Sequence, residues 1–190
     1  GNKKYKNLPD YFFVIDKLAK KLTKSNLPKN SLSKIIITGS PKHYLYKEKV
    51  KKWLKLIQKK PKKTIHIFMQ TFDIPGILEN YTAVLKSFSL NKNKKFKIFI
   101  HKHPSDKTNR TYNLADKFKI NYSIAKNKIS EIHLLHADLV VTFYSTIGLD
   151  HNYLYSFSKK PIGELIYVNI GIKMKNWIKK TVGLPIVPGS

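Results

Sequence analysis

Short apolar runs alternate with amphipathic segments along almost the whole chain. DYFFVI (10–15), KIIIT (34–38), TIHIFMQ (64–70), KFKIFIH (95–101), INYSI (120–124) and DLVVTF (138–143) are rich in β-branched and aromatic residues, and a seventh such run lies within PIGELIYVNI (161–170). These read as strands. Between them the apolar residues recur at helical spacing. KEKVKKWLKLIQ (47–58) sets Val50, Trp53, Leu54 and Ile57 on one face, and PGILENYTAVLKSF (75–88) does the same with Ile77, Tyr81, Val84, Leu85 and Phe88. DKLAKKLTK (16–24), TYNLADKFK (111–119), ISEIHLLHA (129–137), STIGLDHNYLYSF (145–157) and MKNWIKK (174–180) complete the predicted helices. SNLPKNS (25–31) is a loop and Gly39-Ser40-Pro41 a turn; KKPKK (59–63) and NKNKK (91–95) are charged turns, and GLPIVPGS (183–190) is a tail.

The strands are continuous apolar runs, not period-two alternations. That pattern belongs to a parallel sheet covered by helices on both faces, so the expected fold is a doubly wound α/β domain. Ligands of such sheets bind beyond the carboxyl ends of the strands. The composition break at 59–63 divides the expected organisation into a lead-in segment, 1–58, and a nucleotide-binding domain, 59–190. The chain begins at Gly1 and reads as a piece of a longer one.

Composition narrows this picture. An aromatic content of 12% within 42% apolar residues opposes disorder. With no cysteine there is neither a disulfide framework nor a thiolate metal site. No apolar stretch approaches the ~20 residues of a membrane-spanning helix. The 37 Lys+Arg against 11 Asp+Glu leave a net charge of +26, which attracts polyanions. Yet Arg110 is the only arginine, and base reading and bidentate phosphate clamps favour arginine. The preferred reading is therefore a general anionic preference. Nucleic acid is expected only as a non-specific polyanion, and an anionic membrane surface is a further candidate partner.

The chemistry gathers at strand ends. Ser145 and Thr146 stand between a strand and a helix, where unpaired N–H groups and the helix dipole favour phosphate; a plain N-cap needs one hydroxyl only. Pro104 holds His103 in extended geometry, which ends the strand and aims the imidazole at the crevice beside Lys102. Asp150, an acid in a chain short of acids, is placed to accept hydrogen bonds from ribose hydroxyls. Gln70 ends another strand. His101 and His103 suggest a metal pair, but alternate residues alone do not complete a site. His133 and His136 are expected to be solvated or at the edge of the core. No Walker lysine motif, GxGxxG, HExxH or GxSxG is present.

His103-Pro104 and Ser145-Thr146, in this order and context, resemble the His-Pro and Ser-Ser/Thr motifs of the carboxyl-terminal, nucleotide-sugar-binding half of GT-B glycosyltransferases. The group includes bacterial sialyltransferases, Kdo transferases and polyglycerol-phosphate polymerases. PDYFFVIDKLAKKL and KIIITGSPKH are similar to the stretch where the amino-terminal domain hands over to the carboxyl-terminal one, so the likeness spans about residues 9–170.

The resemblance implies a Rossmann-like domain that binds a CMP-, CDP- or UDP-linked sugar for transfer to a glycan or lipid acceptor. His103 would act in catalysis. Lys102, Pro104, Gln70, Ser145 and Thr146 would bind nucleotide phosphate, and Asp150 would hold ribose. Neither a cofactor nor a metal is implied, and a cytoplasmic, membrane-peripheral location is. It also implies a second Rossmann-like domain, missing or on a separate polypeptide, that supplies the acceptor-side base; the chain alone would bind nucleotide and transfer little. Three readings stay open beside it: a basic nucleic-acid-binding domain that is not an enzyme, a structural partner subunit that docks a catalytic chain, and a UDP-sugar epimerase-like domain. The epimerases usually end the later strand with Ser-Gly, where this chain has Ser145-Thr146-Ile147-Gly148.

Overall fold

A computed structural model describes residues 8–57, 62–90, 96–125, 129–158 and 161–182. The charged turn at 91–95, most of that at 59–63 and the tail at 183–190 lie outside the described residues. The chain forms two compact units, Gly1–Lys47 and Glu48–Ser190.

The first unit holds two parallel strands, β1 (Tyr11–Val14) and β2 (Lys34–Ile37), paired from Tyr11 with Lys34 to Val14 with Ile37. The helix α1 (Lys17–Asn26) connects them. Asp16 starts it, its carboxylate accepting a hydrogen bond from the Ala19 amide at 2.7 Å. Two strands of four residues bury little, and Tyr11, Phe13, Ile36 and Ile37 all remain exposed. Gly39-Ser40-Pro41, expected as a turn, opens a one-turn helix, α2 (Pro41–Tyr44), with proline at its first position. The next helix, α3 (Tyr46–Leu56), runs across the division between the units.

The second unit carries five parallel strands: β3 (Lys63–Phe68), β4 (Phe96–His101), β5 (Tyr122–Ile124), β6 (Leu139–Thr142) and β7 (Glu164–Tyr167). Their order across the sheet is β5-β4-β3-β6-β7. The helices α4 (Ile77–Leu90), α5 (Arg110–Lys117), α6 (Ser130–His136) and α7 (Ile147–Ser158) make the crossovers, and α8 (Ile172–Val182) follows β7. The expected doubly wound architecture is present. Gly76 (φ 78°) turns the chain just before α4, so that helix starts at Ile77, two residues later than its sequence pattern suggested.

The two faces of the sheet differ in chemistry. On one, Ile65, Ile67 and Met69 join Ile100, Val141 and Phe143 and pack against Ile77, Tyr81 and Leu85 of α4 and Met174 and Ile178 of α8. Each such side chain contributes about 1.5–3 kcal/mol by leaving water. Side chains alternate along a strand, so Thr64, His66 and Phe68 point to the opposite face. His66 pairs with Phe99 and Phe68 with His101 in the register, so these four share that face. It is aromatic and imidazole-rich where the first is aliphatic. Asp138 fixes the start of the central strand: its carboxylate accepts from the Thr64 amide at 2.7 Å.

Candidate functional site

β4 ends at His101, whose carbonyl accepts from the Met69 amide at 2.9 Å. Two residues on, the His103 carbonyl accepts from the Asp106 amide at 2.9 Å, closing a turn with Pro104 in its second position. The Ser105 amide donates to His103 Nδ1 at 3.2 Å, and the Ser105 hydroxyl lies 2.7 Å from the same atom. With Nδ1 accepting, the neutral ring carries its proton on Nε2. Lys102 turns aside: its ammonium donates to Asn109 Oδ1 at 2.6 Å and stands 5.7 Å from the centre of the Tyr112 ring.

Asp106 anchors this turn, and sequence reasoning missed it. Only 6% of it is exposed, and its carboxylate accepts from the Arg110 and Thr111 amides at 3.1 and 2.9 Å. Burial alone would push its pKa up. The hydrogen bonds from Thr111 and Arg110 and the Lys102 charge outweigh that and hold it below the usual carboxylate range. The available signal was an acid just before a predicted helix.

On the other side of β3, Ser145 and Thr146 lead from β6 into α7. Ser145 Oγ accepts from the Ile147 amide at 3.2 Å, and the Thr146 carbonyl accepts from the Asp150 amide at 3.1 Å. Ser145 thus acts as a cap, while the Thr146 side chain is exposed. The Tyr167 ring stands over this first turn and its hydroxyl donates to the Ser145 carbonyl at 3.4 Å. Gly148 admits it: a Cβ there would lie 1.5 Å from the phenol oxygen. Asp150 is 3% exposed, in the first turn of α7. Burial, with the Asp150 charge adding to it, pushes Tyr167 up to about 12.

Gln70 follows the central strand. The hydroxyl of fully buried Tyr81 donates to its carbonyl at 2.6 Å and accepts from its amide at 2.5 Å. Burial drives the Tyr81 pKa well above the ordinary tyrosine value. β3 therefore presents a pinned tip between the His103-Pro104 turn on one neighbour and the Ser145-Thr146 turn on the other. The chain leaves β3 for β4 and β5 on one side and for β6 and β7 on the other, so β3 and β6 bound a topological switch point.

Strand order and crossovers make the second unit a Rossmann-like α/β domain. No protein-family model matches the chain, and no curated protein matches it significantly. Among the described residues no helix is long and apolar enough to cross a membrane.

One group of chemistry-bearing side chains escaped the sequence reading. His66 of β3, His101 of β4 and His133 of α6 converge beneath α6, with one ring nitrogen of each within 4.8 Å of the others. His133 and His136 are both half-buried, as expected of core-edge residues, and both rings approach His66, to 5.5 and 5.9 Å between centres. His101 was weighed as a ligand only with His103, its neighbour in sequence. Its spatial neighbours lie 35 residues before it and 32 after it. The one local signal was a histidine in the middle of a buried strand.

Proposed function

We propose that the second unit is the donor-binding domain of a glycosyltransferase-like enzyme, taking a CMP-, CDP- or UDP-linked sugar for transfer to a glycan or lipid acceptor. The observation that carries this reading is the pair of motifs flanking the switch point: His103-Pro104 leaves β4, Ser145-Thr146 leaves β6, and the tip of β3 at Gln70 lies between them. Amides at the start of α7 and the exposed Thr146 hydroxyl suit a donor phosphate. An Nε2–H donor on His103 suits the negative charge that develops as the nucleotide leaves, which is electrostatic catalysis.

Lys102 reaches that phosphate only by releasing Asn109. Asp150 meets a ribose only after a shift of the chain around it, since it is 3% exposed. The acceptor-side base belongs to a second domain or polypeptide, so the chain alone is expected to bind rather than transfer. Neither cofactor nor metal is part of this reaction as proposed. The lysine excess suits an anionic membrane face, and with it a cytoplasmic, membrane-peripheral location.

The test is a thermal-shift titration with CMP, CDP, UMP and UDP, beside His103→Ala and Thr146→Ala. Selective saturation by a cytidine or uridine nucleotide, weakened in both variants and weakened by salt, is the expected result. No response to any mononucleotide, with salt-sensitive binding to DNA or RNA unchanged in His103→Ala, overturns it in favour of a nucleic-acid-binding domain.

A further inference from the structure

The histidine cluster lies on the imidazole-rich face of the sheet, and the proposed nucleotide site makes no use of it. Three features set it apart from a chance meeting of side chains. Its members come from three elements whose mutual placement the fold already fixes: a central strand, its neighbour and the helix above them. Their rings are held by stacking. His66 lies on Phe99 with centres 4.6 Å apart and planes 18° from parallel, and His101 lies on Phe68 at 4.1 Å and 11°. The nitrogens also face one another. His66 Nδ1 is 2.9 Å from His101 Nε2, and the His101 and His133 rings meet edge to face at 4.8 Å.

We propose that His66, His101 and His133 form a binding site for one divalent transition-metal ion of the zinc class. Zinc binds imidazole nitrogen at about 2.0–2.1 Å in tetrahedral geometry, which separates neighbouring donors by roughly 3.3 Å. The observed 2.9 Å contact and the 4.8 Å limit of the group bracket that spacing. Side-chain rotations of the order of an ångström bring all three nitrogens onto an ion. Three imidazoles suit zinc, nickel or copper and disfavour magnesium and calcium, which take oxygen donors. A three-histidine set leaves the fourth tetrahedral position to a ligand from outside it.

Stacking on Phe68 and Phe99 costs the metal-bound form little further ordering, since these rings are already restrained.

The test uses the full chain, free of any histidine tag, stripped with chelator and titrated with Co²⁺ in the absence of nucleotide. Expected is one Co²⁺ per chain with the intense visible absorption of a four-coordinate ion, displaced by Zn²⁺. His133→Gln, at a half-buried helix position, should weaken binding ~100-fold or more while far-UV circular dichroism stays unchanged. His66→Gln is a second variant, read only if it folds. Half-buried His103 and His136 remain in both variants, so any weak binding there is common to all the proteins compared. Absence of the four-coordinate band, or equal affinity in His133→Gln, overturns the proposal and leaves His66 and His101 as a hydrogen-bonded imidazole pair.

Discussion

Replacing Gly148 by alanine tests the tightest packing at the start of α7. The added Cβ would lie 1.5 Å from the Tyr167 hydroxyl oxygen, 2.2 Å from Cζ and 2.8 Å from Cε2. Real Cβ contacts essentially never fall below 3.0 Å, so three atoms of one ring must move. The ring is half-buried at the end of β7, and relief requires either rotating it out or pushing the helix start away. Overpacking of this kind costs about 1–3 kcal/mol, and three simultaneous overlaps place it near the upper end. Alanine in place of glycine in a helix returns up to about 1 kcal/mol. The hydroxyl's contact with the Ser145 carbonyl, at 3.4 Å, is long and adds little. The expected net loss is about 2 kcal/mol, read from urea unfolding followed by circular dichroism. In a Tyr167→Ala background the same change should be neutral or stabilising, a coupling of about 3 kcal/mol across the cycle. An equal effect of Gly148→Ala in both backgrounds would refute the packing account.

The other predictions rest on single groups. Tyr167 keeps its proton in the folded chain until about pH 12, whereas an unfolded tyrosine loses it near 10. Its contribution to stability is thus complete below pH 10 and lost as pH rises from 10 to 12. The tyrosine that ionises near pH 12 should vanish from an ultraviolet titration of Tyr167→Phe, while buried Tyr81 still ionises late. Asp106 has the opposite sign: its lowered pKa stabilises the fold above the ordinary aspartate pKa near 4, and that support is lost as pH falls below it. Asp106→Ala should cost about 1–2 kcal/mol at neutral pH through the two amides it leaves without a carboxylate, and should flatten the acid limb of the stability curve. The nucleotide and cobalt titrations complete the set, and each can fail without the other.

The alternation of apolar runs and amphipathic segments made the parallel sheet legible, because a strand covered on both faces has no reason to alternate. Gly39-Ser40-Pro41 was harder. The same three residues serve a turn or a helix start, and the outcome here is one helical turn. The two motifs flanking β3 could be placed at strand ends without coordinates, since the ends are where apolar character stops. What each side chain does there was not legible. Lys102 is drawn to Asn109, which sits in a left-handed conformation (φ 58°), and Asp150 is buried beside Tyr167; both depend on residues 7 to 17 positions away. The histidine cluster was least visible of all, because its members are brought together by strand pairing and a crossover rather than by any spacing in the chain.

The position of β3 also has a kinetic consequence. It pairs with β4 through one short crossover, but with β6 only across more than twice that sequence separation. Each doubling of a closed loop adds about 0.6 kcal/mol of entropy cost, so β3–β4–β5 and β6–β7 are each favoured to pair before β3 and β6 join. The seam between β3 and β6, sealed at its base by Asp138 and Thr64, is then the last joint made and the easiest to part. Amide hydrogen exchange should be faster for the bonds that cross between β3 and β6 than for those within the β3–β4 and β6–β7 pairs, and a ligand bridging Gln70 and Ser145 would slow it by clasping the two halves.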